Sequence, residues 1–393
     1  MRICHVITRL IIGGAQENTV LTCRGLTERG HEVTLISGPE TGPEGSLWDK
    51  AEVAGCALVR VNSLRRAVRP ISDWRAAREL RRLFLQLQPD VVHTHSSKAG
   101  ILGRWAAAMA GVPVVVHTIH GMSFNRTQGR LTQLVYRGLE RSAARYTTSF
   151  VAVADAMVNQ AVAAGIAPRQ QFVTIRSGVE TERFTPDANA RRHCRKEWGV
   201  RDDNVVVGTI ARLFPNKGHA EILLALASAI VRQPKLRFVW IGDGTLRHQF
   251  EKWLKDGELG EFVRMVGLVP TEKVPYCING FDVMLHASRW EGLPRAVVQG
   301  LLSEVPAVSF DNDGAPEVVR TGETGILVPL GDINGLSDAL VRLAGDAELR
   351  RDMGRRGREL CRKEFDWHNM VEQLEQLYGR LLASKPSAGS SGG

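Results

Sequence analysis

The sequence lacks the features that mark several classes of protein. Its six cysteines lie far apart and include no C-x-x-C pair. This distribution excludes a zinc ribbon and a disulfide-stapled domain, and it suits a reducing compartment. No run approaches about 18 uncharged apolar residues, and the apolar start at Ile3–Ile7 is too short for a signal peptide. We therefore expect a cytoplasmic protein without a transmembrane helix, at most peripheral on the inner face of the membrane.

The overall composition is that of a globular protein, but the charge is uneven. The chain has 393 residues, 44% hydrophobic and 24% charged, which excludes wholesale disorder and allows two domains. The formal net charge is +9, yet residues 186–393 contain 28 basic and 28 acidic residues. Residues 1–185 contain 23 basic and 14 acidic residues and carry the whole surplus. This asymmetry indicates an anionic partner for the first half.

Short apolar segments alternate with helical patterns along both halves. Strands are expected at Ile3–Ile7, His31–Ser37, Asp90–His95, Val112–Thr118, Ser149–Ala154, Val205–Ala211, Arg237–Gly242, Val263–Gly267, Val283–Ser288 and Ala307–Asp311. The alternation predicts an α/β protein with two Rossmann-like, doubly wound domains that face each other across a cleft, with ligands at the strand carboxyl ends. The expected parts are residues 1–185, residues 186–366, a helix over 367–383 that packs back on the first domain, and a Ser/Gly-rich tail at 384–393.

Three loops carry residues suited to a ligand. Gly13-Gly14 follows a strand and opens a helix, where backbone N–H groups favour an anion, although a plain tight turn explains the pair equally well. The G-x-G-x-x-G pattern of a dinucleotide site is missing, which disfavours a nicotinamide cofactor. Arg212 and Lys217 lie five residues apart after a strand and can converge on a phosphate, the alternative being two solvated cations.

The third loop combines a carboxylate with an amide. Glu291 stands in a Gly/Pro loop before a helix, and Gln299 follows about two helical turns later. Both side chains suit a polyhydroxylated ligand, whereas Glu291 alone could simply complement a helix N-terminus.

Five pieces in order make the sequence resemble a family 4 (group 1) glycosyltransferase of the GT-B type along nearly its whole length. They are the glycine loop, Thr118-Ile119-His120-Gly121, the Arg…Lys-Gly loop, Ile175–Glu180 with Phe184, and Glu291-Gly292-Leu293-Pro294 followed by Gln299, Gly300 and Pro306. The resemblance implies transfer of a sugar, with retention of configuration, from a nucleotide-diphosphate sugar to a saccharide or lipid-linked acceptor in glycan, lipopolysaccharide or exopolysaccharide synthesis.

The resemblance also implies roles for single residues. Arg212 and Lys217 would neutralise the leaving diphosphate in place of a metal ion, so no metal and no cofactor is expected. Glu291 would bind donor-sugar hydroxyls, Gly292 and Leu293 would meet the sugar or phosphate through their backbone, and position 299 would hold the ribose. His120 would lie near the sugar at the reaction centre, and Gly13-Gly14 would let the backbone approach the diphosphate and the acceptor.

One position departs from the family pattern, and two other functions stay open. The family usually has Glu at position 299, and an amide lacks the charge that strengthens bonds to ribose hydroxyls, so altered nucleotide binding is expected. A GT-B nucleotide-sugar 2-epimerase would alter the sugar without an acceptor. A non-catalytic nucleotide-sugar-binding protein at the membrane would bind without turnover.

Three other groups of polar residues are explained better without a metal or a second catalytic centre. Asp311-Asn312-Asp313 has the form of an Asp-x-Asp metal site but leads into a loop of GT-B type. His93, His95, His117 and His120 could gather around a metal, although local hydrogen bonding is the better explanation. Gly242-Asp243-Gly244 is expected to form a turn.

Two basic segments account for the surplus charge. One holds Arg60, Arg65, Arg66, Arg69, Arg75, Arg78, Arg81 and Arg82, and the other holds Arg126, Arg130, Arg137, Arg141 and Arg145. Both contain apolar and aromatic residues, which is typical of surfaces that bind anionic bilayers, although a solvated helix face over a normal core explains either segment alone. Nucleic acid is not expected, because aromatics make up only 6% and no recognition motif is present.

Overall fold

The protein divides into two compact units. The computed structural model describes residues 1–39, 42, 45–125 and 128–384. Of the tail predicted at 384–393, all residues after Ser384 lie outside the described residues. The first unit contains Met1–Gly178 and the segment that begins at Trp367, and the second contains Val179–Asp366. The sequence places this boundary after residue 185. Val179 instead starts the second unit, because its N–H donates to the carbonyl of Phe365 and it forms a parallel bridge with Asp366.

The first unit is built on a seven-stranded sheet in which every pairing is parallel. Its strands are β1 (Arg2–Ile7), β2 (Glu32–Ser37), β3 (Ala57–Arg60), β4 (Val91–His95), β5 (Val114–Ile119), β6 (Ser149–Ala152) and β7 (Phe172–Thr174), in the order β3-β2-β1-β4-β5-β6-β7. Its first six helices are α1 (Gly14–Glu28), α2 (Trp48–Val53), α3 (Pro70–Leu87), α4 (Ser97–Met109), α5 (Arg130–Ala144) and α6 (Asp155–Ala163).

The second unit repeats the architecture with six parallel strands. They are β8 (Val205–Ile210), β9 (Leu236–Ile241), β10 (Val263–Gly267), β11 (Val283–His286), β12 (Ala307–Asp311) and β13 (Gly325–Pro329), in the order β10-β9-β8-β11-β12-β13. Its helices are α7 (Ala188–Glu197), α8 (His219–Arg232), α9 (Arg247–Asp256), α10 (Val274–Ile278), α11 (Arg295–Leu302), α12 (Ile333–Gly345) and α13 (Ala347–Glu364).

The predicted Rossmann-like architecture of each half is confirmed, and all ten predicted strands are present. Three further strands, β3, β7 and β13, were not predicted, and each lies at an edge of its sheet. The side chains of β3 are all partly or fully exposed and β7 has only three residues, whereas the central strands β4 and β5 are buried along their whole length.

The last described helix, α14 (Trp367–Ala383), packs within the first unit. It buries Trp367, Met370, Val371, Leu374, Leu377 and Tyr378, whose spacing of three and four residues places them on one helix face. A Cβ added to Gly25 of α1 would lie 2.7 Å from Val371, so this glycine allows α1 and α14 to pack closely. Among the described residues, none of the helices is long and apolar enough to cross a membrane.

Candidate active site

The loop after β8 brings a lysine to the carboxyl end of the second sheet. Pro215–Lys217 forms a short 3-10 turn, and Gly218 follows with φ of 68° before α8 begins. A Cβ at Gly218 would lie 1.8 Å from the carbonyl oxygen of Ala287, just after β11. Only glycine permits this approach, which holds the Lys217 loop against the strand that leads to Glu291.

Lys217 and Glu291 contact each other directly. The ammonium of Lys217 donates to Oε1 of Glu291, although the residues come from separate sequence motifs. Ser288 also donates to this oxygen, over 3.2 Å, and Nε2 of His286 lies 3.6 Å from it. The side chain of Glu291 remains 23% exposed, so the carboxylate is within reach of a ligand.

The electrostatics keep Glu291 ionised. Burial opposes its charged form, but Lys217, His286 and Ser288 outweigh this and lower the pKa of the Glu291 carboxyl. Burial also lowers the pKa of His286 to about 4, so its imidazole is neutral near pH 7. Lys217 and Glu291 therefore present one positive and one negative charge at this end of the sheet.

The loop that carries Glu291 is held by the segment after β12. The N–H of Glu291 donates to Oδ2 of Asp313 over 2.8 Å, and the side-chain amide of Asn312 donates to the carbonyl of Ser288 over 3.2 Å. Asp313 has φ of 49°. The end of the Asp311–Asp313 motif thus positions the Glu291 loop.

The remaining second-unit candidates occupy the same end of the sheet. The carbonyl of Arg212 accepts a hydrogen bond of 2.8 Å from Nε2 of His219, and its guanidinium lies 4.9 Å from the ring centre of Phe214. Gly292 and Leu293 are buried beside Glu291, and Gln299 is half-buried on α11. The side chain of Asp243, in the Gly242–Gly244 turn, accepts from the N–H of Gly244 over 2.7 Å and from Arg247 over 2.8 Å.

Three candidates belong to the first unit. Gly13 precedes α1, whose first residue is Gly14, and the Gly13 carbonyl accepts from the N–H of Glu17 over 2.9 Å. His120 follows β5 directly and is half-buried. The structure thus brings Lys217 and Glu291 into contact and places Gly13, Gly14 and His120 in the other unit.

His120 bonds to further histidines at the carboxyl ends of the central strands. Nδ1 of His95 lies 3.1 Å from Nε2 of His120, and Nε2 of His95 lies 3.0 Å from Nδ1 of His5. We call these three residues the histidine array. It links β1 and β4 to the residue after β5, because His5 and His93 are register partners and His95 lies two residues further along β4.

The neighbouring His93 and His117 are hydrogen-bonded separately. His93 lies 2.5 Å from the hydroxyl of Tyr378 and 2.6 Å from Oγ1 of Thr118, and His117 lies 2.9 Å from Oγ1 of Thr94. Nitrogens of His5, His93 and His95 fall within 4.8 Å of one another, a spacing that a metal ion could also use. Both ring nitrogens of His93 and of His95 already have hydrogen-bond partners.

Sequence reasoning did not single out His5 or His286, and it considered Asp313 only as a metal ligand. Asp313 supports Glu291 through a hydrogen bond, and His286 faces the same carboxylate. The sequence contained an indication of His5, because this residue lies in the first predicted strand. Adjacent parallel strands place their residues side by side, so a histidine there can lie next to the histidines of another strand.

Two family models match the chain. The model for glycosyl transferases group 1 matches residues 190–360, and the model for glycosyltransferase family 4 matches residues 12–183. The two matches fall in different units and together span most of the chain.

Individual proteins are similar over nearly the full length. UDP-Gal:alpha-D-GlcNAc-diphosphoundecaprenol alpha-1,3-galactosyltransferase of Escherichia coli is 29% identical over 387 residues, 98% of each chain. A GDP-mannose-dependent alpha-(1-6)-phosphatidylinositol monomannoside mannosyltransferase of Mycobacterium tuberculosis is 26% identical over 353 residues, 88% of this chain and 89% of that one. Among solved structures, Anabaena HepE in complex with UDP-glucose superposes with a TM-score of 0.83 at 19% identity, covering 97% and 100% of the two chains. This last similarity supports the fold alone.

Proposed function

The chain belongs to the group 1 glycosyltransferases of the GT-B fold, and we propose that it transfers a sugar from a nucleotide-diphosphate donor to a lipid-linked or saccharide acceptor with retention of configuration. The contact between Lys217 and Glu291 carries this proposal. Without a donor, the cation and the carboxylate satisfy each other. With a donor, Lys217 turns to the diphosphate and Glu291 accepts hydrogen bonds from the sugar hydroxyls.

The other second-unit residues complete the donor site in this proposal. Arg212 adds a second cation at the leaving diphosphate, and it can bind two phosphate oxygens at once. The backbone at Gly292 and Leu293 meets the sugar or phosphate, and Gln299 bonds the ribose. We propose that two cations replace a metal ion, so chelation should leave turnover unchanged.

In the first unit we assign Gly13 and Gly14 to backbone contacts with the diphosphate and the acceptor, and His120 to a hydroxyl of the transferred sugar. The proposed reaction breaks the bond between the anomeric carbon and the diphosphate oxygen. The acceptor hydroxyl attacks on the same face, and a diphosphate oxygen takes its proton. No enzymic nucleophile is then needed, unlike the carboxylate pair of a retaining glycosidase.

Similar proteins suggest the class of acceptor. The Escherichia coli relative is named for a diphosphoundecaprenol-linked sugar, and the Mycobacterium tuberculosis relative for a phosphatidylinositol mannoside. We therefore propose a sugar on a lipid anchor as the acceptor, and a role in glycan or polysaccharide synthesis.

Two helices of the first unit support docking on an anionic membrane. On α5, Leu131, Leu134 and Val135 are 76%, 64% and 53% exposed, and their spacing places them on one outward face. Arg130 and Arg141 on the same helix are exposed. Arg126, the first of the predicted group, lies outside the described residues.

Helix α3 and the residues before it show the same combination. Val68, Ile71 and Trp74 are exposed, and Arg69, Arg75, Arg78, Arg81 and Arg82 are exposed around them. The apolar residues of this basic segment fall into two groups. Val61, Leu64 and Leu80 are fully buried in the core, whereas the exposed ones are available for a membrane. Apolar side chains beside arginines can enter the headgroup region while the cations pair with anionic lipid.

Vesicle co-sedimentation tests the docking. Binding should rise with the anionic lipid fraction, and the double variant Leu131→Gln/Leu134→Gln should weaken it several-fold. A matched control is Leu224→Gln/Val231→Gln, which removes two exposed apolar residues from α8 of the second unit. Binding that ignores the anionic fraction, or equal binding by both double variants, would refute membrane docking.

A transfer assay tests the catalytic proposal. Nucleotide release from a panel of nucleotide sugars should require a lipid-linked acceptor, and Arg212→Ala and Glu291→Ala should each lower kcat/KM by at least about 100-fold, since a lost transition-state contact costs a few kcal/mol. Unchanged turnover in both variants would refute the role assignments. An altered donor sugar formed without any acceptor would identify a 2-epimerase.

A further inference from the structure

The histidine array contains more imidazoles than sugar binding requires. His5 and His95 are 0% and 1% exposed, so neither meets a ligand directly, whereas His120 is half-buried. Buried polar rings cost free energy unless their nitrogens are paired. His5 and His95 can therefore affect a ligand only through His120, the one residue of the array that is partly exposed.

Each hydrogen bond in the array needs one donor and one acceptor. Burial lowers the pKa of His5 to about 3, and burial with neighbouring histidines lowers the pKa of His95 well below its usual value. Both rings are thus neutral near pH 7 and carry a single N–H each. Since both nitrogens of His95 are bonded, it accepts at one and donates at the other, and all protons in the array point the same way.

The inner end of the array decides the direction. Nε2 of His5 is buried and has no hydrogen-bond partner among the residues that the structure describes. If the protons pointed inward, from His120 to His5, the proton of His5 would sit on Nε2 as an unpaired buried donor. If they point outward, Nδ1–H of His5 donates to His95, and only a lone pair is left unpaired at Nε2. Unpaired buried N–H groups are the rarer case, which favours the outward direction.

We propose that His5 is a positioning residue, which acts through His95 to hold His120 in the tautomer that carries its proton on Nδ1. In this tautomer, Nε2 of His120 accepts from His95 and Nδ1 offers a donor to an oxygen of the ligand. The inference rests on the proposed function for the use of that donor, but the tautomer itself is a property of the protein without ligand.

Nitrogen NMR of the wild-type protein with ¹⁵N-labelled histidine tests the tautomer directly. The expected result is a protonated Nδ1 and an unprotonated Nε2 in His120, with a through-bond coupling between Nδ1 of His95 and Nε2 of His120. The signals are assigned by their loss in His120→Gln. A proton on Nε2 of His120 would overturn the proposal without affecting the assigned enzyme function.

Variants at His5 separate positioning from packing. His5→Leu removes the donor and should give a mixture of His120 tautomers. We expect kcat to fall about 10- to 100-fold, which is the loss typical when the partner that orients a functional histidine is removed. The donor KM should stay within about twofold. His5→Asn keeps an N–H donor near the place of Nδ1 and should restore both the tautomer and kcat.

His117→Gln is the matched control, because it removes a buried histidine of the same sheet that bonds Thr94 instead of the array. Its His120 tautomer should match the wild type. An unchanged tautomer in folded His5→Leu would overturn the positioning role. So would one equivalent of zinc bound by His5 and His95 in the purified protein, since a ligating nitrogen cannot donate a hydrogen bond.

Discussion

The hydroxyl of Tyr378 lies 2.5 Å from Nδ1 of His93, joining α14 to the centre of the first sheet across 285 residues of sequence. Both side chains are fully buried, and burial raises the pKa of the phenol well above its usual value, so the hydroxyl stays protonated. The bond fixes the helix against β4 by a polar contact within an apolar interface.

Removing that hydroxyl should destabilise the first unit. Tyr378→Phe leaves Nδ1 of His93 buried without its partner, which costs about 1–3 kcal/mol. Urea denaturation followed by tryptophan fluorescence measures the loss. The control is Tyr276→Phe, whose hydroxyl bonds Glu197 at the surface over 3.2 Å and should change stability by less than about 0.5 kcal/mol. Equal effects of the two substitutions would contradict the structural role of Tyr378.

A methyl group at Gly218 should disrupt the donor site. Its Cβ would lie 1.8 Å from the carbonyl oxygen of Ala287, so Gly218→Ala must displace the Lys217 loop and lower kcat/KM by at least about 100-fold. Gly199→Ala is the matched control, because Gly199 has φ of 72° but no atom of the described part of the chain lies within 4 Å of an added Cβ. Both variants bear the cost of left-handed backbone, about 1–2 kcal/mol, so only the clash distinguishes them. Steady-state kinetics with equal losses in both would rule out the steric explanation.

Lys217 should set the pH range of activity through Glu291. Burial raises the pKa of this carboxyl and Lys217 lowers it, so Lys217→Met leaves the burial effect and shifts the pKa upward. The ionised carboxylate then persists only at higher pH, and the acid limb of the kcat/KM profile should move to higher pH. Lys217→Arg keeps the cation and should retain the wild-type limb. The assignment fails if the methionine variant shows the wild-type acid limb at reduced amplitude.

Acid should destabilise the protein from about pH 6.5 downward. Burial lowers the pKa of His5 to about 3 and of His219 to about 4, so these rings stay neutral in the folded state while an unfolded histidine takes a proton near pH 6.5. The unfolded state binds more protons, and stability falls by about 1.4 kcal/mol per pH unit for each such residue until its folded pKa is reached.

Urea denaturation at pH 7.5, 6.0 and 5.0 measures this dependence. His5→Leu should flatten the slope by about 1.4 kcal/mol per pH unit. His248→Leu is the control for the loss of a histidine, since that side chain is 99% exposed. Parallel slopes for His5→Leu and the wild type would show that the His5 ring is not held neutral.

A carboxylate at position 299 should strengthen nucleotide binding. Hydrogen bonds to a charged acceptor are roughly twice as strong as neutral ones, so Gln299→Glu should lower the Kd for the donor nucleotide about 2- to 10-fold. Thermal shift during nucleotide titration measures the change. Gln249→Glu, on the exposed surface of α9, adds the same charge elsewhere in the second unit and should have no effect. Weaker binding by Gln299→Glu would contradict the assignment of this position to the ribose.

Nine of the ten strands that were predicted correctly lie inside their sheets, and only β10 is at an edge. Central strands such as β1, β4 and β8 are buried by helices on both faces, so their apolar runs are visible without knowing their neighbours. The strand β3 has no buried side chain, β7 has only three residues, and β13 buries Val328 but exposes Pro329. Their pairing is decided by an adjacent strand edge, which no local pattern encodes.

The candidate site divides in the same way. Arg212, Lys217 and Glu291 were predicted because a Gly/Pro loop after an apolar strand is a local signal, and His120 was predicted from the family resemblance of Thr118–Gly121. The ion pair of Lys217 with Glu291 joins residues 74 positions apart, and the bond between His5 and His95 joins residues 90 positions apart. Neither partnership follows from spacing along the chain.

The sequence by itself therefore determined the two parallel sheets, the uneven charge and the residue types at the ends of the strands, because burial and turn formation act locally. Only the tertiary structure decided which of those residues form hydrogen bonds and ion pairs with one another. Hydrogen bonds and ion pairs depend on distances of about 3 Å between atoms, and parallel strand register and loop packing set those distances. The same packing decided which leucines beside the arginines enter the core and which face outward.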